Sequence, residues 1–257
     1  MAIHDVFEYI HWTLPHPVFY IEDILPQTGT MLVYGDPKVK KSWLVEHIGY
    51  SIATGTNWIG FRTVPARVLM CQFEVSPYSY QYRLKLMSRH FANIGQPNTY
   101  FEMTRPITYL EHDELYNSFN AEIRESNCQP QVIILDCMSA CFGGDENSGE
   151  QMAAFIERIS TLKQNYNASL ILVHHANKNI LNPSSVSKAR GHSRLTGWVD
   201  TLLYMAEIGN GVQLQIKARQ SIHDIPNINI QFRDYQWTRQ GGFNAGEINN
   251  GQQQVGN

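Results

Sequence analysis

No apolar run in the sequence approaches the ~18 residues that a membrane-spanning helix needs, and none of its stretches reads as such a span. The first residues, MAIHDVFEYIHW, lack the basic start and long apolar stretch of a secretory signal. Four cysteines, at 71, 128, 137 and 141, are too few and too irregular for a disulfide framework, and they point to free thiols in a reducing compartment. Cys137 and Cys141 form a lone CxxxC with no second ligand pair at zinc-like spacing, so a metal role is not expected for them. There is no excess of positive charge: the formal net charge is −3, which excludes a globally basic nucleic-acid coat and leaves room only for a local basic element. No internal repeat is present. These absences together leave a cytoplasmic globular protein, and 257 residues suffice for one large α/β domain or two small ones.

What is present is alternation. Fully apolar segments of strand length, TMLVYG (30–35), RVLMCQFE (67–74), QVIILD (131–136) and SLILVHH (169–175), are separated by helical segments at 41–55, 77–91, 111–127 and 149–166. A short strand is expected at 99–103. Leu44, Ile48 and Ile52 share a helical face, and Gly55 is placed to stop that helix. Apolar strands alternating with helices imply a mostly parallel, twisted sheet with helices on both faces. Beyond residue 200 the pattern changes to a hairpin over 201–220, turning near Gly209–Gly211, and one further strand over 228–239, an antiparallel extension. The expected organisation is an aromatic- and proline-rich arm at 1–29, a folded α/β domain at 30–240 and a disordered Gly/Asn/Gln-rich tail at 241–257. Trp12, Phe19 and Tyr20 make the arm apolar enough to link neighbouring subunits.

The strand at 30–35 runs into Gly35-Asp36-Pro37-Lys38-Val39-Lys40-Lys41-Ser42, followed by Trp43 and the helix. The phosphate-loop pattern GxxxxGK[ST] works because backbone N–H groups wrap phosphates, the lysine reaches the β/γ oxygens and the hydroxyl meets Mg²⁺. Lys41 and Ser42 are in register, but Lys40 occupies the second glycine position. KVKK alone also fits a basic surface turn. The strand before it and the helix after it favour a modified phosphate loop that binds ATP.

In parallel sheets ligands gather at the C-terminal strand ends, and the suggestive polar residues all fall there. Asp136 closes a strand as a Mg²⁺-binding aspartate does, together with Ser42. Glu74 closes another and fits a general base for water, although a helix-start acid is the plainer reading. His174 and His175 point to opposite sides of their strand, so they are poor co-ligands. One of them suits a hydrogen bond toward the γ-phosphate or Glu74, against the alternative of a packed core histidine. The segment 176–194 is long, polar and free of acids, and its Lys178, Lys188, Arg190 and Arg194 could grip a nucleic-acid backbone and move with hydrolysis, or form a solvated loop. Lys217 and Arg219, two apart on a strand, face one side and could reach a neighbour's phosphates.

On these stretches, over roughly residues 20–220, the sequence resembles the RecA-like P-loop ATPases of the RepA type, the hexameric replicative helicases of plasmids and phages. The resemblance implies a RecA-like fold and an ATP-hydrolysing enzyme acting in DNA replication or recombination. It assigns Lys41 to the phosphate loop, Glu74 to catalysis, Asp136 to the metal, His174 or His175 to the sensor, and Arg190-Gly191-His192-Ser193 to an RGSS-like segment. Lys217 and Arg219 become the basic pair inserted into the adjacent subunit's ATP site. A hexameric ring with single-stranded DNA in its channel is implied, as are Mg²⁺ and, since no primase, zinc or separate DNA-binding segment is evident, loading partners. Lys40 and His192 depart from the family pattern. Two other readings remain: an ATPase that assembles on single-stranded DNA without unwinding, and a regulatory ATPase acting on proteins.

Overall fold

A computed structural model of the chain describes residues 3, 5–12, 18–35, 38–90, 99–175 and 190–241, with backbone alone at 190–193. Its centre is a nine-stranded sheet. The strands are β3 (Thr30–Gly35), β4 (Val68–Gln72), β5 (Tyr100–Thr104), β6 (Val132–Asp136), β7 (Ser169–His175), β8 (Thr201–Ile208), β9 (Gly211–Ala218), β10 (Ile228–Arg233) and β11 (Gln236–Arg239). Their order across the sheet is β11-β10-β9-β8-β3-β7-β6-β4-β5. The six strands from β8 to β5 are parallel and the remaining three are antiparallel. Every residue of β4 and β6 is buried, which explains why their sequences are continuously apolar rather than alternating.

The helices are α1 (Val6–Tyr9), α2 (Lys41–Thr54), α3 (Pro77–Met87), α4 (Asp113–Glu125), α5 (Met138–Cys141), α6 (Gly149–Tyr166) and α7 (Arg190–Trp198). The chain steps one way across the sheet through α2 and α3, then back through α4, α6 and α7. Right-handed crossovers therefore put α2 and α3 on one face and the other three on the opposite face. Side-chain contacts agree: Tyr50 of α2 packs with Met87 of α3, Arg158 of α6 pairs with Asp113 of α4, and α6 touches α7. Ser76 and Ser148 start α3 and α6 by accepting hydrogen bonds from the backbone N–H groups of Ser79 and Gln151. Pro77 adds a preset first-turn φ to α3.

The structure differs from the sequence expectations in four places. The strand expected to end at Glu74 ends at Gln72, and Glu74 lies in a bend two residues on. The segment 228–239 is a hairpin, because Asp234 and Tyr235 both take the left-handed conformation that turns β10 into β11. Within the arm, β1 (Phe19–Ile21) pairs with β2 (Leu25–Pro26), and Tyr20, Ile21, Ile24 and Leu25 are buried in the main core. Finally, α2 buries eleven residues around its whole circumference rather than one face, since the sheet, including its outer strands β5 and β11, covers one side while Met87 and Leu84 of α3 pack on Tyr50. The tail from 242 on and most of the segment 176–194 lie outside the described residues.

Candidate active site

The first glycine and the odd lysine of the loop are held by different constraints. A Cβ on Gly35 would lie 2.5 Å from the Met205 carbonyl oxygen on the adjoining β8, so only glycine allows the pairing with β8 to reach the end of β3. Lys40 instead sits at φ 63°, ψ 42°, the left-handed region that favours glycine. A non-glycine residue there costs about 1–2 kcal/mol. The Lys40 ammonium lies 5.5 Å from the centroid of the Phe232 ring in β10, and an exposed cation–π contact returns about 0.5–1 kcal/mol. The contact thus offsets part of that cost. The side chain is thus engaged with the C-terminal hairpin while its backbone keeps the conformation of the replaced glycine. Lys38 also takes positive φ, Val39 is buried, and Asp36 and Pro37 lie outside the described residues.

Lys41, the first residue of α2, is buried, and its Nζ donates to the Gly35 carbonyl oxygen at 3.0 Å, across the mouth of the loop. The Ser42 hydroxyl lies close enough to the Asp136 carboxylate to favour its charged form. From the other side Gln72 Nε2 donates to Asp136 Oδ2 at 2.9 Å. Burial pushes the Asp136 carboxyl above its ordinary range, against the pull of the Ser42 hydroxyl and the Gln72 hydrogen bond. A cation beside it would restore the ionised form, and the donor set of carboxylate and hydroxyl oxygens suits hard Mg²⁺.

Gln72 is a residue that the sequence reasoning passed over. It is the register partner of Asp136 across β4 and β6. Its Oε1 also accepts from the backbone N–H of Glu74 at 2.9 Å and of Val75 at 3.3 Å, so one amide fixes both Asp136 and the loop bearing Glu74. A polar residue ending an apolar strand two positions before Glu74 was the available signal.

The two histidines separate as strand alternation requires. His174 is buried with Nε2 3.7 Å from Glu146 Oε2, whereas His175 is half-exposed with Nε2 3.6 Å from Glu74 Oε2. Cys137 directly follows Asp136, hydrogen bonds Ser139 and lies near Glu74, and burial raises its thiol to about 12. Lys178 and Lys188 lie outside the described residues. Arg190 begins α7, so the RGHS segment is its first turn rather than loop, and Arg194 is exposed on it.

A second group borders the phosphate loop. Trp43 packs against Phe232 at 5.1 Å and Tyr235 at 6.0 Å, and the Arg83 guanidinium lies 5.4 Å from its ring centre. Arg83 Nη1 is 3.6 Å from Glu46 Oε1. Burial nevertheless wins over that attraction and raises the Glu46 carboxyl to about 8.

Lys217 and Arg219 are elsewhere. Lys217 is exposed on β9 opposite Leu202, and Arg219 lies one residue past the end of β9. Arg219 donates to the Gly197 carbonyl oxygen at 2.8 Å and lies 4.0 Å from Asp200. Asp200 in turn accepts from the Thr30 N–H at 2.8 Å, at the start of β3. The length of β3, about 17 Å at 3.3 Å per residue, separates this end from the phosphate loop. The basic pair therefore does not serve the phosphate loop of its own chain. Beside it is a cavity of about 630 Å³ lined by Lys217, Arg219, Ser221 and His223 among others.

Among the described residues no helix is long and apolar enough to cross a membrane. The fold is similar to that in the crystal structure of the KaiC-like protein PH0186 from the hyperthermophilic archaeon Pyrococcus horikoshii OT3, with a TM-score of 0.57 and 12% identity over 86% of this chain and 94% of that one. No curated protein matches the sequence. The sheet order and the phosphate loop after β3 define a RecA-like P-loop nucleotide-binding fold. The family model described as AAA domain matches residues 2–180. That match, over more than two-thirds of the sequence, places the chain in the AAA domain family.

Proposed function

We propose that the protein is an ATPase that completes its active sites between subunits of a ring and uses hydrolysis to move along or unwind single-stranded DNA in replication or recombination. One observation carries the intersubunit reading: Lys41, Ser42, Asp136 and Glu74 converge at one end of the sheet, while Lys217 and Arg219 occupy the other.

In this reading the loop amides and Lys41 neutralise the β- and γ-phosphates. Glu74 accepts the proton of the attacking water, with His175 beside it. Ser42 and Asp136 would hold Mg²⁺, which supplies charge neutralisation when bound. Trp43, Tyr235 and Arg83 present a stacking surface for the base next to the loop. Arg219 and Lys217 act on the neighbour's phosphates. The DNA assignment rests on the acid-free run with Lys178, Lys188, Arg190 and Arg194 that follows His175.

The test is ATP turnover with and without single-stranded DNA, beside Lys41→Ala. Turnover that DNA stimulates, and that Lys41→Ala lowers by roughly 10²–10³-fold, is expected. Turnover indifferent to DNA, with no salt-dependent DNA binding, removes the motor reading and leaves an ATPase with other partners. Turnover unchanged in Lys41→Ala removes the phosphate-loop assignment.

A further inference from the structure

We propose that Glu74, Cys137 and His175 form a binding site for zinc or a similar borderline-soft divalent cation, which holds Glu74 away from water and so arrests turnover. The three residues follow or end β4, β6 and β7, which are consecutive strands of the sheet. One carboxylate oxygen, the thiol sulfur and one ring nitrogen all lie within 4.8 Å of one another. His175 Nε2 and Glu74 Oε2 are 3.6 Å apart. Zinc with bonds of about 2.0–2.3 Å places tetrahedral ligands roughly 3.3–3.8 Å from each other. Closing the site therefore takes side-chain adjustment and no movement of strands.

The ligand chemistry separates this site from its neighbour. Ser42 and Asp136 offer hard oxygens, which suit Mg²⁺. A thiolate and an imidazole select against Mg²⁺ and for zinc. Access is one-sided: the Glu74 and His175 side chains are 45% and 44% exposed, whereas Cys137 is fully buried beneath them. An ion entering from solvent meets the carboxylate and imidazole first. It then displaces the thiol proton, which passes to solvent. Three protein ligands leave the fourth position to water. The CxxxC spacing gave no hint of this, because Cys141 takes no part and the partners of Cys137 come from other strands.

Metal binding stands without any activity; its effect on turnover rests on the ATPase reading above. The first experiment is therefore spectroscopic. The purified protein, free of nucleotide, is loaded with Co²⁺ as a zinc stand-in, and the near-ultraviolet sulfur-to-cobalt band is recorded. A band that Zn²⁺ abolishes in the wild type and that Cys137→Ser lacks is expected. No band in the wild type, or an undiminished band in Cys137→Ser, overturns the site. Because Cys137 is buried, Glu74→Gln and His175→Ala supply a second arm at half-exposed positions. Each should weaken Co²⁺ binding by more than the roughly tenfold that loss of an outer-shell partner costs, and unchanged affinity in both overturns the assignment. Turnover is then titrated with Zn²⁺. Inhibition relieved by a chelator, and needing at least about tenfold more Zn²⁺ in Cys137→Ser, is expected; equal sensitivity of the two proteins overturns control through Glu74. A cobalt band in a protein with no turnover under any condition supports the site and refutes the hydrolase reading instead.

Discussion

The two ends of the parallel strands are built from the same sheet yet hold opposite chemistry. At the C-terminal ends, Gln72, Glu74, Asp136, His174 and His175 crowd together, and acids outnumber the buried Lys41. At the N-terminal ends, Thr30 and Asp200 fasten β3 to β8, and Arg219 and Lys217 lie beside them, with Lys163 and Arg67 at the same end. On the proposed reading, one end has the groups that polarise water and would hold a metal. The other has cations directed away from them by the full length of β3. On the proposed reading, catalytic completeness belongs to the assembly and not to the chain.

The sharpest way to break that comparison is Arg219→Ala. If the cation acts on a neighbour, turnover in the assembled protein should fall about 10³-fold with nucleotide binding retained, and mixing it with Glu74→Gln chains should regain activity. Failure of the mixture to do so, measured as ATP hydrolysis against mixing ratio, would return Arg219 to a merely structural role.

At the opposite end, Gln72→Leu removes the donor to Asp136 and the acceptor that holds the Glu74 loop. The Mg²⁺ concentration for half-maximal turnover should rise by roughly 10-fold, the usual effect of losing an outer-shell partner. An unchanged requirement would show that the strand register alone orients Asp136.

The third prediction concerns pH. The folded protein holds the Glu46 carboxyl at about 8, above the ordinary 4.5. Between those values the folded state binds the extra proton, so stability falls as pH rises from about 4.5 to about 8, and the cost is fully present above that. Glu46→Gln should therefore melt higher than the wild type, with a gap that opens across this window. A gap independent of pH would mean that Arg83 keeps Glu46 ionised.

The smallest effect expected is that of Lys40→Gly. Relief of the left-handed backbone and loss of the Phe232 contact partly cancel, leaving a change of at most about 1.5 kcal/mol in denaturant unfolding. A larger loss would show that the lysine anchors the C-terminal hairpin.

The order of strands and helices was legible because fully buried parallel strands are continuously apolar, and each is punctuated by a polar end. Lys41, Ser42 and Asp136 were legible for a related reason, since loop and strand end are local patterns. Cross-strand partnerships were not. Gln72 meets Asp136 only through the β4–β6 register, and Cys137 meets Glu74 and His175 only because three strands are adjacent. The β10–β11 turn was missed because Asp234 and Tyr235 supply positive φ without the glycine that usually announces it. The apolar face assigned to α2 was real but incomplete, since nothing in its own sequence told what would cover Glu46 and Tyr50.

Because α2 has scarcely any solvent face, it cannot loosen by itself. Its amide protons should exchange only when the whole domain opens, at the slow limit set by global stability. A ligand on its first turn would then act as a thermodynamic weight on the entire molecule. Nucleotide affinity could be read from the shift of a single melting transition, without a label or a turnover assay.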